Sequence, residues 1–140
     1  MGLTRGYKLF EGPPSLADYL SLRLRAGLSP KTELQGAAAI QGGWWAVHVQ
    51  DSEGVTVGMG RVMGDGGWYF HIVDMAVLPE HQRRGIGDAI LSALIERIRK
   101  TAPPDPYITL LADGPGHRLY ARHGFIPTAP HSIGMKLSKP

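Results

Sequence analysis

Residues 71–98 read HIVDMAVLPEHQRRGIGDAILSALIERI, and this stretch restricts the fold more than any other. It opens on an apolar, strand-like run that ends at Val77. A short polar loop and a glycine pair, Gly85 and Gly87, follow. Ile86, Ala89, Ile90, Ala93, Leu94 and Ile98 then recur at three and four residues, which predicts a helix with a wide apolar stripe. Strand, glycine turn and helix start together make an anion site. Glycine lets the backbone come close to a ligand and take positive φ. The first N–H groups of the helix have no partner inside it, and the helix dipole adds positive potential. Arg83 and Arg84 bring further positive charge. A diphosphate group suits such a turn.

Around this stretch the chain alternates helix and strand signals. Residues 6–10 read as a short strand closed by Gly12, Pro13 and Pro14. Ser15 can cap a helix carrying Leu16, Tyr19, Leu20, Leu22 and Leu24, and a weaker helix spans 31–40. Residues 44–49 and 55–63 read as a hairpin about a DSEG turn, and 68–77 as a central strand covered on both faces. After the long helix come a strand at 107–112, a short helix at 115–123 stopped by Gly124, and two terminal strands at 125–126 and 133–137. The expectation is one α/β domain over residues 1–140. Its mixed central sheet has about seven strands, with helices on both faces.

Composition excludes several classes. At 140 residues the chain suits one core. No apolar run approaches the roughly 20 residues of a membrane span, and the N-terminus lacks the apolar core of a signal peptide. A cytoplasmic location without membrane partners is expected. The absence of cysteine removes thiolate zinc sites and a cysteine nucleophile. His117 and His123 lack a third ligand beside them in sequence, so no metal is expected. The net charge of +3 is spread along the chain, which argues against a nucleic-acid partner. Gly58, Gly60 and Gly64 imitate a dinucleotide fingerprint, but the spacing is wrong and they lie inside a strand.

The run VDMAVLPEHQRRGIGDAILSALI resembles the cofactor-binding motif of the GNAT N-acetyltransferase superfamily, whose pattern is Gln/Arg-x-x-Gly-x-Gly/Ala. The later run RLYARHGFIPT resembles the family's second motif, a tyrosine followed by Gly-Phe. Order and spacing match along essentially the whole chain. The resemblance implies a splayed sheet and an acetyl-CoA-dependent enzyme. It implies that the main chain of Met75, Ala76 and Val77 pairs with the pantetheine arm. It further implies that Gln82 and the amides of Arg83, Arg84, Gly85, Gly87 and Asp88 hold the pyrophosphate. Asp88 departs from the family, where small or neutral residues are commoner. An acid there suits the helix dipole but repels a phosphate, so its side chain is expected to point away.

The same resemblance puts Tyr120 at the general-acid position, beside the cofactor's sulfur. A phenol of pKa about 10 can protonate a departing thiolate. The resemblance also puts His71 where some members carry a glutamate or histidine base, and an imidazole of pKa about 6.5 suits removal of an ammonium proton. Asp74 and a water relay remain alternatives. Asp74 should face opposite to His71, being an odd number of residues away, unless a bulge changes the parity. With no cysteine to carry an acyl group, direct attack on acetyl-CoA in a ternary complex is expected. The acceptor is expected to be a small-molecule primary amine, since no recognition domain is appended. A protein lysine or N-terminus, or a catalytically silent acetyl-CoA-binding module, are the alternatives. A homodimer is compatible with the sequence.

Overall fold

A computed structural model describes residues 3–139. The elements are β1 (Lys8–Glu11), α1 (Leu16–Arg25), α2 (Glu33–Gln41), β2 (Trp45–Gln50), β3 (Thr56–Gly64), β4 (Tyr69–Val77), α3 (Ile86–Thr101), β5 (Tyr107–Leu110) and α4 (His117–Arg122). Single 3-10 turns precede α3 at Pro79–His81 and α4 at Gly114–Gly116. The chain divides into two compact units, one ending at Leu110 and one beginning at Leu111.

The first unit is an open five-stranded sheet in the order β1-β2-β3-β4-β5. The first four strands are antiparallel neighbours, and β5 returns parallel to β4 through α3. The Ser15 cap expected from sequence forms, and α2 carries a cap of its own. Ser15 accepts from the Asp18 N–H at 3.2 Å, and Thr32 and Gln35 form a reciprocal capping box. The Asp65 carboxylate accepts from the N–H groups of Gly67, Trp68 and Tyr69, which closes the β3–β4 turn.

Helix α3 covers one face of the sheet with Ile86, Ile90, Leu91, Leu94 and Ile98, all essentially buried. The glycines of β3 explain how close it comes. A Cβ on Gly60 would lie 2.7 Å from Ile90, 2.8 Å from Met75 and 3.0 Å from Leu94, and one on Gly58 would lie 2.9 Å from Ile86. Two of the glycines that imitate a nucleotide fingerprint, Gly58 and Gly60, thus serve helix–sheet packing. The next residue of β3, Arg61, points to the opposite face, where it meets Tyr19 of α1 and the Ala39 carbonyl of α2. Helices therefore cover both faces, as expected. In α1 the buried positions are Tyr19, Leu22 and Arg23, whereas Leu24 is exposed.

The sheet has five strands among the described residues, against the seven or so expected. Phe125 forms no strand, because its N–H bonds to the Tyr120 carbonyl and ends α4. Residues 128–132 close into a turn, with the Ser132 N–H on the Thr128 carbonyl. Ile133, Met135 and Leu137 alternate as a strand would, but each is exposed. A strand needs a hydrogen-bonding neighbour, and alternation in sequence cannot supply one.

Candidate active site

Strand β4 carries a one-residue bulge. Arg61 of β3 pairs with Val73 and Met59 pairs with Ala76, so Gly60 alone faces both Asp74 and Met75. Asp74 has φ +56°, a left-handed conformation inside a strand. The bulge turns its side chain onto the Arg61 face. By register that is also the face of His71, which pairs with Met63 two residues along β3. The opposite orientation expected from strict alternation therefore does not occur, and the bulge is the reason.

Asp74 is not an open base. Its carboxylate is 8% exposed and accepts from Arg23, Tyr19 and Arg61. The Tyr19 hydroxyl donates at 2.6 Å and the Arg61 Nε at 2.8 Å. Burial, then the bond to Asp74 and its charge, hold the Tyr19 phenol above its usual range, so it stays a donor. Arg23 also donates to the Ser29 carbonyl, and Arg61 to that of Ala39. Sequence reasoning missed this cluster, whose members lie up to 55 residues apart. One signal was present. Tyr19 and Arg23 are four apart on the buried stripe of α1, and a charge there needs a partner.

His71 is half-buried, with Nδ1 2.8 Å from the Thr109 hydroxyl. Thr109 in turn donates to the Phe70 carbonyl at 3.3 Å. A hydroxyl that donates to a carbonyl offers its lone pair to the ring, so the proton belongs on Nδ1 and leaves Nε2 as the acceptor. Burial lowers the imidazole pKa from its usual value.

The ladder between β4 and β5 runs only from Tyr69↔Tyr107 to Ile72↔Leu110. Beyond Ile72, residues 73–77 stay paired to β3 while their other edge leaves the ladder. The edge leads into the glycine turn. Gln82 Nε2 donates to the Val77 carbonyl at 3.1 Å and ties strand end to loop. Arg83 has φ +63° and Gly85 φ +79°, and Gly85 caps α3 without any side-chain bond. The first main-chain bond of the helix is from the Ala89 N–H to the Gly85 carbonyl. The N–H groups of Ile86 and Gly87 therefore have no acceptor within the helix. Nothing lies within 4 Å of where a Gly85 Cβ would stand, so conformation is what selects glycine there. From outside, the Thr4 hydroxyl donates to the Arg84 carbonyl at 2.6 Å, and Arg84 donates to the Tyr7 hydroxyl at 2.7 Å. Asp88 lies in the first turn of α3.

Tyr120 belongs to the second unit. Helix α4 ends in a Schellman arrangement, with the Gly124 N–H on the Ala121 carbonyl and the Phe125 N–H on the Tyr120 carbonyl. Gly124 has φ +92°, and the rings of Tyr120 and Phe125 meet edge to face at 6.1 Å. The Tyr, Gly and Phe of the second motif are thus parts of one helix cap. Burial, and next the negative charge of Asp113, raise the Tyr120 pKa.

A family model described as an acetyltransferase (GNAT) domain matches residues 42–127. The chain belongs to the GNAT acetyltransferase family. The match spans the strands, the glycine turn and the helix cap just described. Among solved GNAT-like structures, a Staphylococcus aureus protein of unknown function, described as a probable acetyltransferase, is 37% identical. That likeness covers 95% of this chain and 99% of the other, with a TM-score of 0.89. A GNAT-family acetyltransferase from Streptococcus pneumoniae is 22% identical, with a TM-score of 0.79 over 95% of this chain and 98% of the other. The glucosamine-6-phosphate N-acetyltransferase of Arabidopsis thaliana is 16% identical, with a TM-score of 0.71 over 94% and 97% of the two chains. The last two likenesses show the GNAT fold alone. No curated protein matches the chain. GNAT enzymes use acetyl-CoA and an acceptor substrate. Among the described residues no group of three or more His, Asp or Glu could hold a metal ion, and no helix is long and apolar enough to cross a membrane.

Proposed function

We propose that this GNAT acetyltransferase moves an acetyl group from acetyl-CoA directly to a small primary amine. The observation that carries the reading is the edge of β4 beyond its ladder with β5, which runs into the glycine turn and the Gly85-capped start of α3. An amide-rich arm can pair with a strand edge, and a diphosphate suits the N–H groups at a helix start. In this reading residues 75–77 hold the pantetheine arm. The amides of Arg83, Arg84, Gly85, Gly87 and Asp88 hold the pyrophosphate. Gln82 contributes by fixing the join between them through Val77.

His71 removes the proton of the acceptor ammonium, directly or through one water. The amine nitrogen then attacks the thioester carbonyl, and backbone N–H groups of β4 stabilise the oxyanion. As the C–S bond breaks, Tyr120 gives its proton to the sulfur, and the second proton still on the acetylated nitrogen passes through water to the phenolate. The raised pKa of Tyr120 makes it a weaker acid than the thiol it forms, so the transfer accompanies bond breaking rather than preceding it. Asp74 is removed from the list of bases by its three partners. The half-buried setting of His71 favours a compact acceptor. Initial rates test the order of events. Lines that intersect when both substrates vary are expected, with no acetylated protein in the mass spectrum after acetyl-CoA alone. Parallel lines with an acetyl-enzyme would contradict direct transfer.

A further inference from the structure

Asp74 has no proton to move in this chemistry, yet two features of the first unit coincide at it. The bulge of β4 and the end of the β4–β5 ladder, at Ile72, lie within two residues of each other. A residue other than glycine keeps φ near +56° inside a strand only when its surroundings over-determine it. The surroundings here grip both carboxylate oxygens. Arg23 donates to Oδ1, and Tyr19 and Arg61 donate to Oδ2. The two arginines are held in turn. Arg23 bonds to the carbonyl and hydroxyl of Ser29, and Arg61 bonds to the Ala39 carbonyl. The bulge is thereby clamped from α1, the segment after it, α2 and β3.

We infer that Asp74 is a positioning residue for the pantetheine arm. Its clamp fixes the bulge, and the extra residue of the bulge decides which main-chain groups of residues 75–77 face away from β3. The clamp therefore sets the register of the main-chain groups that would pair with the arm. This inference rests on the acetyl-CoA reading given above. The glycine turn has fastenings of its own, Thr4 and Tyr7 on Arg84 and Gln82 on Val77. Loss of the clamp should then loosen the arm and spare the phosphate end.

The two ends can be measured apart by calorimetric titration of the full chain with acetyl-CoA and with 3′,5′-ADP, the nucleotide end of coenzyme A without the arm and the phosphate that carries it. Asp74→Gly keeps the positive φ accessible and removes the carboxylate. Arg23→Met leaves the Asp74–Arg61 pair in place, so it tests the clamp in a milder form should the first variant fail to fold. Asp74→Gly is expected to weaken acetyl-CoA binding by about tenfold or more, the size of one lost charged hydrogen bond, and Arg23→Met by about threefold. Both should bind 3′,5′-ADP like the wild type. Unchanged acetyl-CoA affinity in the folded variants would overturn the positioning role alone. An equal loss for both ligands would also overturn it, as a general structural effect. A wild type that binds neither ligand would sink the acetyl-CoA reading and this role together.

Discussion

Tyr120 and His71 are tuned in opposite directions by the same cause. Burial pushes the phenol up and the imidazole down, so each is held in its neutral form. A neutral phenol can only donate to a thiolate, and a neutral imidazole can accept from an ammonium. Tyr120→Phe should lower kcat by about 100-fold, the usual worth of a positioned acid, while acetyl-CoA binding by titration stays unchanged. The pH dependence follows from His71. Its pKa lies below the ordinary value of about 6.5, so the acid limb of kcat/KM should fall below that pH and vanish in His71→Gln. Stability carries the same sign. In the unfolded chain His71 binds its proton more readily, so its neutral burial contributes stability above about pH 6.5 that is lost as pH falls. Urea midpoints at pH 7.5 and 5.5 should differ less in His71→Gln than in the wild type.

At the scale of elements, β3 and α3 set the packing, and the turn before α3 is the proposed cofactor end. Gly60→Ala would place a methyl against Ile90, Met75 and Leu94 at once, and all three ends are side chains that must shift together. The expected cost is about 1–2 kcal/mol, read as a lower urea midpoint at unchanged slope. Gly85→Ala meets no neighbour, and only its φ of +79° opposes it. It should cost about 1 kcal/mol and weaken 3′,5′-ADP binding as the turn distorts. Features of this kind were legible in sequence where the cause is local. The apolar stripe of α3, the Ser15 cap and the Gly124 stop follow from residues a few positions apart. The bulge at Asp74 was not legible, because the residues that hold it come from α1 and β3. The terminal alternation at Ile133, Met135 and Leu137 misled for the complementary reason. It has the period of a strand without a strand beside it.

For the molecule as a whole, the family fixes the reaction class and the donor, and the acceptor is left to chemistry. A family motif read on the sequence already located the glycine turn and the Tyr-x-x-x-Gly-Phe cap, since both depend on short-range backbone geometry. An acceptor site depends on side chains gathered from distant elements, and no short run of residues encodes it. The most direct measurement is release of the coenzyme A thiol from acetyl-CoA across a panel of primary amines, with the products weighed by mass spectrometry. Thiol release is expected to require an amine, to yield its N-acetyl derivative and to fall about 100-fold in Tyr120→Phe. Tight binding of acetyl-CoA with no amine-dependent thiol release from any member of the panel, small amines and peptides alike, would contradict it.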